Sequence, residues 1–171
     1  PEHQTTPEAV TIHDKLARMR DNGLTHAVIE ASSHGLSRRT NRLGDVLFDV
    51  GIMTNVTHEH LEFHGTRDQY KSDKANLFRA LDFHDHLKAG RSVPSFGVVN
   101  EEDTASVYFR EATAKQVYGY STWANTRKGI SASAIENDAQ GSSFTVTCGE
   151  ESFPARINLP GAFNVYNALA A

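Results

Sequence analysis

A single cysteine, Cys148, stands in 171 residues, so no internal disulfide framework can form and the chain suits a reducing compartment. No apolar run approaches the ~20 residues that a membrane span requires, and no signal-peptide pattern opens the residues given. An excess of positive charge is missing too. Seventeen Lys and Arg against 21 Asp and Glu leave a net charge of −4, which argues against recognition of nucleic acid through a broad basic face. Neither a G-x-x-x-x-G-K-S/T phosphate loop nor a G-x-S-x-G nucleophile elbow occurs anywhere, and there is no internal repeat or low-complexity segment. What is there is ordinary for a soluble globular chain, 39% hydrophobic and 22% charged, with nine histidines as the one unusual count. The residues given stop at Ala171 within what reads as a helix just begun, so the chain is expected to be one piece, 1–171, of a longer protein.

Strands alternate with helices over residues 1–121. Thr6-Pro7 predicts a helix start with Thr6 as N-cap and Pro7 at the first helical position. Ile12, Leu16 and Met19 then recur at helical spacing, and Asp21-Asn22-Gly23 supplies the stop. Residues 25–30 read as a strand ending in Glu30, and residues 46–54 as a buried strand that runs into the polar loop 55–60. Thr66-x-x-Gln69 is a capping box that opens a helix to about Leu81. A strand over 95–100, a helix over 103–114 and a strand over 116–120 follow. Over 130–160 the texture changes to three short strands parted by turns, with Phe144, Val146 and Cys148 alternating against Thr145 and Thr147. The fold class expected is α/β: a mostly parallel, Rossmann-like sheet flanked by helices, with a small antiparallel meander near the C-terminus. Ligands in such sheets bind beyond the carboxyl ends of the strands, which is where Glu30 and the loop 54–60 fall.

Three groups carry possible chemistry. Lys74 lies within the apolar stripe Tyr70, Leu77, Phe78 and Leu81 of its helix. Either its stem is buried with the ammonium reaching water, or the amine is held neutral and can take up carbon dioxide as a carbamate, an anionic oxygen ligand for a metal. His58, His60 and His64 crowd seven residues but do not make the His-Glu-x-x-His pattern of zinc proteases. They are structural residues or ligands, and a small zinc hydrolase is the reading they would support. Ser32-Ser33-His34-Gly35 lacks an evident third partner for serine catalysis and fits better as a hydrogen-bonding loop for a polar or anionic ligand. Arg38, Arg39 and Arg42 beyond it are a solvated face or a grip on such a ligand.

Six stretches in order resemble the central domain of the Mur ligases, most closely the E type. They are residues 5–9 (T-T-P-E-A), 29–36 (I-E-A-S-S-H-G-L), Phe48-Asp49-Val50 with Thr54-Asn55, 60–66 (H-L-E-F-H-G-T), Tyr70-x-x-x-Lys74, and Leu159-Pro160-Gly161 with Phe163-Asn164 and Asn167. The resemblance implies an ATP-dependent amide ligase of peptidoglycan synthesis, hence of cell shape and division. Such an enzyme adds the third amino acid to UDP-N-acetylmuramoyl-L-alanyl-D-glutamate through an acyl phosphate. It implies a cytoplasmic monomer whose partners are its substrates, with no membrane and no nucleic acid. Glu30, His60 and a carbamylated Lys74 would be the catalytic magnesium ligands. Thr5, Thr6, Ser32 and Arg42 would hold the UDP-muramoyl dipeptide, and Asn164 and Asn167 would sit at the adenine end of ATP. This chain departs from the family at Glu59-His60-Leu61-Glu62, where Asp-His-Leu-Asp is usual, and at Gln4, where asparagine is common. The family's arginine falls on Thr40 counted forward from Ser32 and on Arg42 counted back from Phe48. The phosphate loop, which in the family precedes Thr5, is absent, so this chain alone is expected to be inactive. A folylpolyglutamate synthetase-like ligase and a non-catalytic binding module are the other readings.

Overall fold

Short hydrophobic strands with alternating burial, set between amphipathic helices, fold here as one sheet with helices on both faces. The computed structural model describes residues 5–56, 61–123 and 128–171. The elements are α1 (Ala9–Asp21), α2 (Ser33–Leu36), β1 (Val50–Met53), α3 (Leu61–His64), α4 (Arg67–Ala80), β2 (Leu87–Lys88), β3 (Arg91–Ser92), β4 (Phe96–Asn100), α5 (Ser106–Glu111), β5 (Val117–Ser121), β6 (Gly129–Asp138), β7 (Gly141–Cys148), β8 (Glu151–Ile157) and α6 (Ala162–Ala170). The six-stranded sheet runs β1-β4-β5-β6-β7-β8, and β2-β3 is a separate small hairpin. The pairs β1–β4, β4–β5 and β5–β6 are parallel, whereas β6–β7 and β7–β8 are antiparallel. The expected α/β class is therefore what forms, and the meander continues the parallel sheet through β6. No described helix is long and apolar enough to cross a membrane.

Two cores lie on the two faces. Tyr70, Leu77 and Phe78 of α4 pack with Met53, Val99, Val117 and Phe109 on one side. Val165 and Leu169 of α6 pack with Tyr120, Ala132, Phe144 and Val146 on the other. Neighbouring Val98 and Val99 point into different cores, as the two-residue period of a strand demands. Gly97 leaves room for the Phe78 ring, since a Cβ there would meet Cε1 at 2.6 Å. Thr66 caps α4 as expected, its hydroxyl accepting from the Gln69 amide at 3.1 Å.

Two expectations about elements change. The first helix starts at Ala9 with Glu8 as N-cap, because the Thr6 hydroxyl is taken by other partners. Residues 25–30 form no strand. One flank of β1 is open, with no strand beside it among the described residues. Between that flank and residues 25–32 lies a cavity of about 1380 Å³. A β pattern without a neighbouring backbone has nowhere to place its ladder hydrogen bonds.

Candidate functional site

The carboxyl end of β1 is held from three sides. The Asn100 amide donates to the Thr54 carbonyl at 3.1 Å, the Tyr120 hydroxyl donates to the same oxygen at 3.4 Å, and the Asp103 carboxylate accepts from the Val56 amide at 2.6 Å. Burial, with the negative charges of Asp103 and Glu102 behind it, pushes the Tyr120 hydroxyl up to about 12. It therefore stays protonated, and a donor, across the physiological range. From α4 the Lys74 ammonium donates to the Asn55 carbonyl at 3.4 Å and lies 5.3 Å from the Tyr70 ring centre. Lys74 is half-buried: its stem follows the apolar stripe and its head reaches the cavity.

A second cluster forms around Thr6, which is 1% exposed. Its hydroxyl lies 2.7 Å from the Ser32 hydroxyl, accepts from the Ser32 amide at 3.0 Å and donates to the Glu30 carbonyl at 3.2 Å. Arg42 reaches the same turn, donating to the Thr6 carbonyl at 3.1 Å and pairing with Glu8 at 2.8 Å. Its Nε is buried with no hydrogen-bond partner. Thr40, the other position for the family's arginine, turns its hydroxyl onto the carbonyls of His34 and Ser37. Ser32 also caps α2, accepting from Gly35 N at 3.2 Å.

Thr5, Glu30, Ser32, Lys74 and Asn167 all line the cavity beside β1. Thr6 and Arg42 back its Ser32 wall. Asn164 is not part of that lining; on the first turn of α6 it donates to the Pro160 carbonyl at 2.8 Å and lies 3.4 Å from the Asn167 amide nitrogen. His60, like His58, falls outside the described residues.

The structure also contains a chain of three side chains that the sequence reading missed. The Ser33 hydroxyl is 3.0 Å from His64 Nε2, and His64 Nδ1 is 2.8 Å from the Asp73 carboxylate. Gln69 donates to the other Asp73 oxygen at 3.0 Å. The sequence offers no evident third partner for a serine nucleophile, and the structure supplies one in Asp73, 40 residues downstream of Ser33. Ser33 is nevertheless buried, its hydroxyl turned to the histidine, so the chain ties α2 and α3 to the helix that carries Lys74. With both ring nitrogens of His64 engaged, the three-histidine zinc site is not favoured. Asp103, Tyr120 and Asn100 were missed as well. A polar residue closing a strand, as Asn100 closes β4, was the available signal at that strand end.

On this geometry the comparisons with known proteins converge. A sequence profile of the Mur ligase middle domain matches residues 1–171. The UDP-N-acetylmuramyl-tripeptide synthetase of Treponema denticola is 50% identical over 179 residues, covering 100% of this chain and 33% of its own length. The enzyme of the same name from Treponema pallidum is 64% identical over 117 residues, covering 68% of this chain and 22% of its own. The UDP-N-acetylmuramoyl-L-alanyl-D-glutamate–2,6-diaminopimelate ligase of Bacillus velezensis is 36% identical over 172 residues, covering 100% of this chain and 33% of its own. Among solved structures, a UDP-N-acetylmuramoyl-L-alanyl-D-glutamate–2,6-diaminopimelate ligase superposes with a TM-score of 0.79 at 24% identity, over 96% of this chain and 32% of that one. MurF from Acinetobacter baumannii superposes at 0.58 and 24% identity, over 73% of this chain and 25% of that one. This chain spans about a third of the length of the relatives that it matches throughout.

Proposed function

The chain belongs to the Mur ligase middle-domain family, and we propose that it is the central part of an ATP-dependent ligase that adds the third amino acid to UDP-N-acetylmuramoyl-L-alanyl-D-glutamate. One observation carries the reading furthest: Thr5, Glu30, Ser32, Lys74 and Asn167, drawn from four separate family motifs, line one cavity. The relatives are named as muramyl-peptide ligases, which favours neither a folylpolyglutamate synthetase-like enzyme nor a zinc hydrolase.

In such a ligase ATP phosphorylates the substrate carboxylate, and the incoming amine displaces phosphate to leave an amide, ADP and inorganic phosphate. This chain's residues supply positioning and charge. Thr6 orders the Ser32 turn through its three hydrogen bonds, and Ser32 with Thr5 meets the muramoyl dipeptide. Arg42 holds the Thr6 backbone in register and is the arginine of the substrate wall. Magnesium takes hard oxygen ligands. The Glu30 carboxylate suits it as it stands, whereas Lys74 suits it only as a carbamate; the family resemblance adds His60, which lies outside the described residues. Bound there, the ion neutralises charge that develops on the transferring phosphoryl group. Asn164 and Asn167 face the adenine end.

The phosphate loop lies outside this chain, and its strand is the natural occupant of the cleft beside β1. ATP affinity of this chain alone is therefore expected to be weak. The domain that selects the third amino acid also lies outside it. The test uses the longer parent polypeptide with UDP-N-acetylmuramoyl-L-alanyl-D-glutamate, ATP and a panel of amino acids. Release of ADP coupled to a new amide is expected, and Lys74→Ala is expected to lower turnover by ~10²–10³, the range set by loss of a group that stabilises transferring charge. No amide product with any amino acid, or a Lys74→Ala enzyme within a few-fold of wild type, would overturn the proposal.

A further inference from the structure

At the opposite end of β1, away from the Thr54–Val56 loop, three side chains converge to which the ligase reading gives no role, although Asp49 falls within one of its six stretches and lines the cavity. Asp49 directly precedes β1, and His84 and His86 lie between α4 and the β2–β3 hairpin. Their ligating atoms all lie within 4.8 Å of one another. We propose that Asp49, His84 and His86 bind one divalent transition-metal ion of the zinc class.

The argument starts from where the ring hydrogens must be. His84 Nε2 is 2.8 Å from the Phe48 carbonyl and His86 Nε2 is 2.7 Å from the Leu81 carbonyl. A carbonyl oxygen only accepts, so both Nε2 atoms carry hydrogen, and in the neutral rings both Nδ1 atoms present lone pairs. His86 Nδ1 then faces the Asp49 carboxylate at 3.0 Å. Two acceptors at that distance repel unless a cation lies between them. A proton on His86 is one solution and a metal ion is the other. Metal-bound histidines characteristically donate their other ring N–H to a backbone carbonyl, which fixes ring orientation and tautomer. Both histidines already have that backing.

The remaining features agree. His84 Nδ1 accepts only one weak partner, the His86 amide at 3.2 Å. His86 sits at φ +52, a left-handed conformation that costs a non-glycine residue energy, and such residues collect at functional sites. The rings lie with centroids 3.8 Å apart and planes tilted by 50°, and donors within 4.8 Å of one another must close to the ~3.4 Å spacing of a tetrahedral zinc site. Two imidazoles and one carboxylate favour zinc, nickel or copper over magnesium. This ion is thus chemically distinct from the magnesium of the ligase reading. His86 is buried and Asp49 is 29% exposed, which leaves an open side for entry and for a water ligand. Lys88, 3.4 Å from the second Asp49 oxygen and 47% exposed, neutralises Asp49 in the metal-free protein and is free to swing into water. Bound metal would pin the hairpin and the end of α4 to the start of β1.

The test is titration of metal-stripped protein with cobalt(II), then with zinc, followed by visible absorption and calorimetry. One equivalent is expected to bind with a dissociation constant in the micromolar range or below, giving the d–d bands of a four-coordinate cobalt site and withstanding millimolar magnesium. His84→Ala and Asp49→Asn are each expected to weaken binding at least tenfold, and Lys88→Ala, which removes the competing ammonium, to tighten it. His86→Ala removes a buried ring from the fold, so the decision rests on the other three variants, with far-UV circular dichroism as the folding control. Absence of stoichiometric uptake by the folded protein would overturn the proposal. So would uptake indifferent to His84, Asp49 and Lys88, which would place the ion on other histidines. The readout uses no substrate and no ATP, so it stands or falls independently of the ligase reading.

Discussion

Thr6 shows how one side chain can serve two plausible roles that sequence alone does not separate. A threonine before proline at the head of an amphipathic stretch is a good N-cap, yet here its hydroxyl spans to Ser32, 26 residues away. The neighbour that makes this possible is Gly35. A Cβ there would meet Thr6 Cγ2 at 2.5 Å and its Oγ1 at 2.9 Å, so only glycine lets α2 press against the threonine. Gly35→Ala is expected to overpack the contact by about 1–3 kcal/mol, which for a chain of this size lowers Tm by roughly 3–10 °C. In the parent enzyme it should raise KM for the UDP-muramoyl dipeptide, because the displaced Thr6 no longer orders the Ser32 turn. Thermal denaturation followed by circular dichroism checks the first effect, and a Tm equal to wild type would show that the turn accommodates a methyl group.

At the level of elements, helices announced themselves through caps and apolar spacing: α4 begins where Thr66 and Gln69 put it, and Gly23 at φ +78 ends the first helix. The alternation of Phe144 and Val146 likewise marked β7. Residues of the cavity lining could be singled out in the sequence where a family motif carried them, as with Glu30, Ser32 and Lys74. Side-chain clusters were illegible where their members come from distant elements, as with Ser33, His64 and Asp73, or His84, His86 and Asp49. Pairings over 9 to 37 positions leave no local pattern to read. The anchoring of α6 is of that kind too. Burial alone would raise the Glu102 carboxyl, but donors from Thr122 (backbone and hydroxyl), Tyr166 and Ser121 outweigh it and hold it below the usual carboxylate range. Tyr166 thereby fastens α6, with Asn164 and Asn167, to the turn after β4, its hydroxyl donating to the Glu102 carboxylate at 2.8 Å. The sign follows directly. A depressed folded-state pKa contributes stability that is fully present above the unfolded value and is lost as pH falls through the folded one. Amide exchange in α6 is therefore expected to stay slow on acidification until below the ordinary carboxylate range and then to rise. In Glu102→Gln the α6 amides should exchange several-fold faster at neutral pH, with that acid step gone. A variant that keeps the wild-type acid step would assign the step to another group.

At the scale of the whole molecule, the open flank of β1 is the feature that sets this chain apart from a finished sheet. An edge strand presents unpaired backbone groups, and here apolar side chains gather around them: Val28 is fully exposed at 100%, Leu47 at 59% and Ile52 at 42%. Fully burying such a side chain is worth roughly 1.5–3 kcal/mol, so a strand laid between residues 25–32 and β1 would gain several kcal/mol in side-chain burial before any ladder hydrogen bond is counted. It would also convert residues 25–30, strand-like in composition and unpaired in fact, into the strand that their sequence specifies. If that strand is the one leading into the phosphate loop, as proposed above, one insertion completes the sheet and brings the loop to the cavity lined by Glu30, Ser32 and Lys74. Stability and nucleotide binding then arise together. Hydrogen exchange measured on this chain and on the parent polypeptide decides the matter. Backbone amides of residues 25–31 and of the open side of Val50–Met53 are expected to exchange at least ~10²-fold more slowly in the parent, a factor that corresponds to about 2.7 kcal/mol of added local stability. A dye that fluoresces on apolar surface should bind this chain and leave the parent dark. Equal exchange in the two proteins would mean that β1 is a true edge and that the phosphate loop approaches the cavity from elsewhere.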